Sequence, residues 1–275
     1  MEFVLVLDTT AYADGSRAVS ATAWGGGLST VLPDRPVWVA NSAPKTVYYV
    51  ATNGSDLAAG TSGSPFATIS NAVAKAVSGD EIRLRTGDYV LNLSTDRNFY
   101  RYVLIRADDG ASPRIIPPSN ALRSGFLHFK GLAFDWTNVP TNRPDGGVDG
   151  NIIVGWGEPY VWFEDCSFQG PAGRYNSYLI AIKLYGSARN LTVERCEFHD
   201  LNVAIPMPPG SIARDNHIYS ITSDAFDFNS DTLITGNRVH GILAPKLYME
   251  TTNAEPFNVS GRGLSFLYCE YNNGV

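Results

Sequence analysis

Three aspartates lie close together in the stretch SDAFDFNSD: Asp224, Asp227 and Asp231. If Phe226 and Phe228 face a core, strand alternation turns Asp227 outward and leaves Asp224 at the strand entry. Carboxylates so placed suit two kinds of glycan chemistry. In β-elimination a cation neutralises a uronate carboxylate, either Ca2+ held by residues such as Asp227 and Asp231 or an arginine, while a base takes the proton. In hydrolysis two carboxyl groups flank the scissile bond. The competing reading is turn and cap chemistry, in which Asp beside Ser is common.

Other side chains of suitable type lie upstream and downstream. In LIAIKLYG, alternation buries Ile180, Ile182 and Leu184 and turns Lys183 outward, so Asp227, Asp224 and Lys183 form the catalytic candidates. Arg174, Tyr175 and Tyr178 in PAGRYNSY, with Lys246 and Tyr248 in APKLYMETT, occupy long insertions and are candidates for sugar contact. They could equally pack those loops down, and Lys183 could be a solvated surface lysine. His217 and His240 follow their repeat centres at different offsets, so they are not equivalent positions, and exposed turn histidines are the simpler reading.

The elements that must carry these residues form a repeat. WFEDCSF from Trp162, TVERCEF from Thr192, IARDNHI from Ile212, LITGNRV from Leu233 and SFLYCEY from Ser265 align without gaps, with HFKGLAF from His128 as a weaker copy. The centres Cys166, Cys196, Asn216, Asn237 and Cys269 are 30, 20, 21 and 32 residues apart. A unit of about 20 residues with occasional insertions fits the coils of a parallel β-helix. The segments IIVGW, LIAIKLYG, VAIPM, AFDFN and FNVSG supply a second sheet of the same coils. Stacking places Asn216 and Asn237 on neighbouring rungs about 4.8 Å apart, where their amides can bond along the stack. The three cysteines lie in the same ladder as core thiols, with no CxxC spacing for a metal or redox site.

Ahead of the coils, Ile69, Ala72, Val73, Ala76 and Val77 follow helical spacing, with Gly79 as the stop. This predicts a helix that covers the open end of the solenoid, with EIRLRTGDYV as the first rung. The stretch Tyr48 to Tyr89, with YYVATNGSD, GTSGSPFATISNAVAKA and GDEIRLRTGDY, resembles the start of right-handed parallel β-helix proteins of the pectin-lyase-like superfamily. That superfamily includes lyases of pectate, alginate and chondroitin-type chains, and phage tailspikes. The resemblance implies an all-β right-handed parallel β-helix over residues 46–275 and a polysaccharide partner. It implies a homotrimer if the protein is a tailspike.

Residues 1–45 read as a separate attachment segment: a strand at Phe3 to Leu7, glycine-rich turns and a Pro-containing linker. The run DTTAYADG is similar to segments of phage virion structural proteins, which implies virion partners. The opening MEFVLVLDTT has no basic n-region and its apolar run ends at Asp8, so the reading expects no export signal. The leading expectation is a virion-surface, tailspike-like protein that recognises and depolymerises a cell-surface polysaccharide. The alternatives are an extracellular polysaccharide lyase and a non-enzymatic structural or adhesive virion component. A net charge of -6, with no run among 21 basic residues, argues against non-specific nucleic-acid binding, and no apolar stretch has membrane-spanning length. The chain stops at FLYCEYNNGV, a rung without a cap, so the reading expects further chain or a partner to cover that end.

Overall fold

Trp162 pairs with Thr192, Thr192 with Ile212, Ile212 with Leu233 and Leu233 with Ser265, each time in parallel. The gap-free sequence alignment is thus the strand register itself, and His128 pairs with Trp162 in the weaker copy. The structure is a computed structural model describing residues 9–25, 28–39, 41, 46–97, 99–117, 120–142, 146, 149–156, 160–173, 178–185, 188–228, 232–242, 257–259 and 265–272. The chain divides into two compact units, Met1–Lys45 and Thr46–Val275. The second is an all-β solenoid of stacked coils, a parallel β-helix.

Each coil has three faces rather than two, because the seven-residue repeat bends at its middle. Asp165, Arg195 and Asp215 precede the repeat centres with φ of 52°, 51° and 56°, and Gly131 and Gly236 hold the equivalent positions at 65° and 66°. One left-handed residue turns the chain and shifts the in–out alternation by one, which aims the next side chain inward. The first face thus ends in strands such as Val161–Glu164 and Thr192–Glu194, and the second begins with Ser167–Gln169, Glu197–Leu201 and His217–Ile221. The third face holds Asp149–Trp156, Tyr178–Tyr185, Ile205–Met207, Phe226–Phe228 and Phe257–Val259.

Inside the bend the polar ladder closes. Cys196 N donates to Asn216 Oδ1 at 2.9 Å, and Asn216 N to Asn237 Oδ1 at 2.9 Å. The amide nitrogens of Asn216 and Asn237 donate to the carbonyls of Val193 and Ala213, each at 2.9 Å. Buried backbone N–H groups that the turn removes from the sheet ladder thereby gain partners. Cys166 and Cys196 are buried free thiols, burial pushes the Cys196 thiol well up, and Cys269 stands in register with Asn237. Beneath the second face the rings of Phe134, Phe168 and Phe198 stack at 4.5 and 4.6 Å, parallel to within 3°. Fully buried rings in this arrangement add about 0.5–1.5 kcal/mol per pair beyond their area.

Several local expectations change. The helix spans Ile69–Lys75, with Thr68 Oγ1 accepting from Asn71 N at 3.1 Å. It packs against Val47–Val50, Glu81–Leu84 and Leu93–Arg97. Ile69, Ala72, Val73 and Ala76 are buried, but Val77 lies past the helix and is half exposed. The chain leaves helical geometry at Ala76 (ψ 151°), before Gly79, and the buried Asp80 accepts from the N–H groups of Val77 and Thr46. The first rung is Val47–Val50, one coil earlier than EIRL, with which it pairs in parallel. In Tyr178–Tyr185 the run Leu179 to Ile182 is buried throughout and Leu184 only partly. Leu179 is covered on its outer side by the approach of Gly150 and Gly170, so alternation alone misplaces it.

Within the first unit, Gly15–Gly25 pairs antiparallel with Leu28–Val39, with a register shift between Val19 and Ala21. The Pro-containing stretch expected as a linker is therefore a strand. A two-stranded ribbon leaves each strand an unpaired edge on which Pro33 and Pro36 withdraw no central ladder bond. The strand expected at Phe3 to Leu7 falls outside the described residues.

Candidate functional site on the second face

Outward side chains of the second face stand in two rows. One row runs Asp88, Arg114, Ala133, Ser167, Glu197, His217 and Arg238. The other runs Asp135, Gln169, His199, Tyr219 and His240. Small Ala133 and Ser167 between Arg114 and Glu197 leave an open cleft of about 530 Å³, also lined by Asp165 and Arg195 from the bend. That volume lies within the range of ligand sites.

The cleft's cations are already paired. Arg114 makes a two-pronged contact with Asp88, both bonds at 2.8 Å, and reaches Asp135 at 2.9 Å. Arg195 bonds Asp165 at 2.8 Å and Glu194 at 3.1 Å, and also Glu164. Glu164 further accepts from Lys130 and His128, each at 2.8 Å, so this first-face network is saturated.

Beyond Glu197 the rows become aromatic. His199 stacks on Tyr219 at 4.8 Å and 6°, and Tyr219 on His240 at 5.4 Å and 4°. Tyr219 Oη donates to Glu197 Oε1 at 3.0 Å, and His199 Nδ1 meets Asp200 Oδ2 at 2.7 Å. Burial, then the bond to Glu197, pushes the Tyr219 phenol up to about 12, so it keeps its proton. His217 Nε2 lies 2.8 Å from His240 Nε2, while its Nδ1 lies 3.9 Å from Glu197 Oε1. Burial, then the neighbouring His240, holds the His217 imidazole below its ordinary value.

The residues singled out from sequence lie elsewhere. Asp227 is exposed on the third face, in register with Pro206 and Asn258, with Phe226 buried beneath it as expected. Asp224 is half-buried and accepts from Ser223 Oγ at 3.1 Å. Lys183 is partly buried with its ammonium 5.6 Å from the Tyr185 ring centre. The bridge between Ile180 and Val203, continued by three residues, puts Lys183 in line with Pro206 and, a rung further, Asp227. Tyr178 is exposed at the start of its strand. Arg174, Tyr175, Asp231, Lys246 and Tyr248 lie outside the described residues. Among the described residues no group of three or more His, Cys, Asp or Glu is placed to hold a metal ion.

His217 and His240 do occupy different rows, as their offsets require, yet they meet on the diagonal. The signal for the column was in the sequence. His199, Tyr219 and His240 each stand three residues after a repeat centre, at Cys196, Asn216 and Asn237, one position beyond the aligned segments.

The sequence matches no protein-family model, and no curated protein matches it. Solved structures resemble the fold. A rhamnogalacturonan lyase superposes with a TM-score of 0.54 at 16% identity, covering 82% of this chain and 62% of the other. The pectate lyase Pel9A gives 0.57 at 14% identity, with coverages of 78% and 58%. A GH136 lacto-N-biosidase from Eubacterium ramulus gives 0.55 at 12%, with coverages of 83% and 56%. The chain thus spans less than two thirds of the length of each, and at these identities the likeness is one of fold.

Proposed function

We propose that this protein recognises and depolymerises a cell-surface polysaccharide, laying the glycan along its second face. The observation that carries this reading is the continuity of the cleft floored by Ala133 and Ser167 with the ring column of His199, Tyr219 and His240. An extended chain running along the stack would meet small residues where it needs depth and ring faces where it needs apolar contact. The fold neighbours support the substrate class, since their names denote a rhamnogalacturonan lyase, a pectate lyase and a lacto-N-biosidase.

Charge narrows the glycan. Arg114 and Arg195 are both engaged by carboxylates, and Glu197 adds a negative charge to the cleft. A uronate entering here would find no uncompensated cation, so the reading favours a neutral, hydroxyl-rich chain over an acidic one. Glu197, held by the Tyr219 phenol, is the carboxylate placed to move a proton. Glycan-array binding followed by Glu197→Gln tests this. Binding retained with cleavage lost supports the assignment, and unchanged cleavage refutes it.

Presentation on a virion rests on the similarity of DTTAYADG to phage virion proteins. A secreted lyase is the second reading, favoured by two of the fold neighbours. In that reading exposed Asp227, alone or with Ca2+, would serve on the third face, and added Ca2+ would be required for activity. Ca2+-independent activity would exclude it.

A further inference from the structure

We propose that His217 and His240 form a chelating site for a divalent transition metal of tetragonal preference, Cu2+ or Ni2+, at the end of the glycan-binding face. The two side chains come from adjacent coils and from different rows, and their Nε2 atoms converge to 2.8 Å. Two nitrogens each about 2.0 Å from a metal and at right angles to one another are about 2.8 Å apart, whereas a tetrahedral angle sets them at about 3.3 Å. The observed separation matches the right-angled bite, which favours Cu2+ and Ni2+ over Zn2+.

The surroundings hold both rings in place before any ion arrives. His240 lies flat on Tyr219, which lies flat on His199, and His199 is tied to Asp200. Behind His217, Nδ1 faces Glu197 Oε1 at 3.9 Å, the place where a ligating imidazole usually directs its remaining N–H toward a carboxylate. In the metal-free protein one Nε2–H donates to the other Nε2. On binding, that proton moves to the Nδ1 of the same ring through solvent, so both Nε2 lone pairs ligate and no net proton is released. No third His, Cys, Asp or Glu joins the pair among the described residues, so the other coordination positions are open to water or to sugar hydroxyls. The pair depends only on these side chains and stands whether or not the glycan reading does.

The test uses the full chain without a polyhistidine tag, loaded with one equivalent of Cu2+ and read by electron paramagnetic resonance and by calorimetry. The expected spectrum is tetragonal with two equatorial imidazole nitrogens. His217→Asn and His240→Asn should each leave one nitrogen and weaken binding at least about tenfold, while His199→Asn keeps both. Unfolding midpoints measured without metal establish that the variants are folded. A wild-type spectrum with one nitrogen or none, or binding unchanged in both the His217 and His240 variants, would overturn the assignment. Glycan binding in the absence of metal reads the proposed function separately.

Discussion

Asn216 Nδ2 donates to Asn237 Oδ1 at 2.8 Å, joining two coils through side chains that never reach solvent. Because Asn216 Oδ1 also accepts from Cys196 N, removal of this one amide leaves buried backbone and side-chain groups without partners on three coils. Asn216→Ala is expected to cost about 2–4 kcal/mol, from roughly 1–3 kcal/mol per orphaned group. Cys196→Ala, which removes a weak acceptor and a small volume, should cost less. Urea midpoints of the two variants check the order, and equal losses would show that the ladder contributes packing alone.

Acid should destabilise the fold through His128. Burial holds its imidazole at about 4, because the Glu164 charge it meets is already offset by Lys130 and Arg195. The folded value lies below the unfolded one near 6.5, so the stabilisation is complete above pH 6.5 and is lost as pH falls toward 4. The loss is on the order of 2–3 kcal/mol at most. Unfolding measured from pH 7 to pH 4 should decline less steeply in His128→Asn than in the wild type. Parallel curves would assign the acid sensitivity to other groups.

Filling the cleft should block the glycan without unfolding the protein. Ser167 is partly exposed on the cleft floor, so Ser167→Trp projects bulk outward rather than into the stacked phenylalanines beneath. Glycan affinity is expected to fall at least about tenfold, the loss of one good apolar contact, with the unfolding midpoint nearly unchanged. Normal binding by this variant would place the glycan on another face.

Because the cleft's charges are balanced within it, glycan binding should be nearly insensitive to ionic strength. Affinity measured between low salt and about 1 M NaCl, where the screening length falls to about 3 Å, should change by less than about threefold. A steep decline with salt would point to an acidic glycan held by uncompensated cations.

Much of the solenoid was legible because its register is written in residue type. Cys166, Cys196, Asn216 and Asn237 mark one position on successive coils, and the inward phenylalanines keep step with them. The third face was invisible for a backbone reason: a seven-residue apolar alternation reads as one straight strand, and a left-handed Arg195 or Asp215 is not a recognised turn residue in the way Gly236 is. The burial of Leu179 and Ala181 depends on neighbouring chain that periodicity does not register. The site was only partly readable. Outward alternation located Asp227, but the meeting of His217 with His240 is a diagonal contact between rows, which follows from register and side-chain reach rather than from spacing along the chain.

The account turns on which face takes the polysaccharide. The full-length protein should be incubated with a panel of neutral and acidic cell-surface glycans, following new reducing ends and unsaturated-uronate absorbance, in parallel with Glu197→Gln, Ser167→Trp and Asp227→Ala. The second-face account predicts cleavage of a neutral glycan that Glu197→Gln and Ser167→Trp abolish and Asp227→Ala leaves within about twofold of wild type, as expected of a surface change away from the site. Cleavage lost in Asp227→Ala and kept in both second-face variants would contradict it.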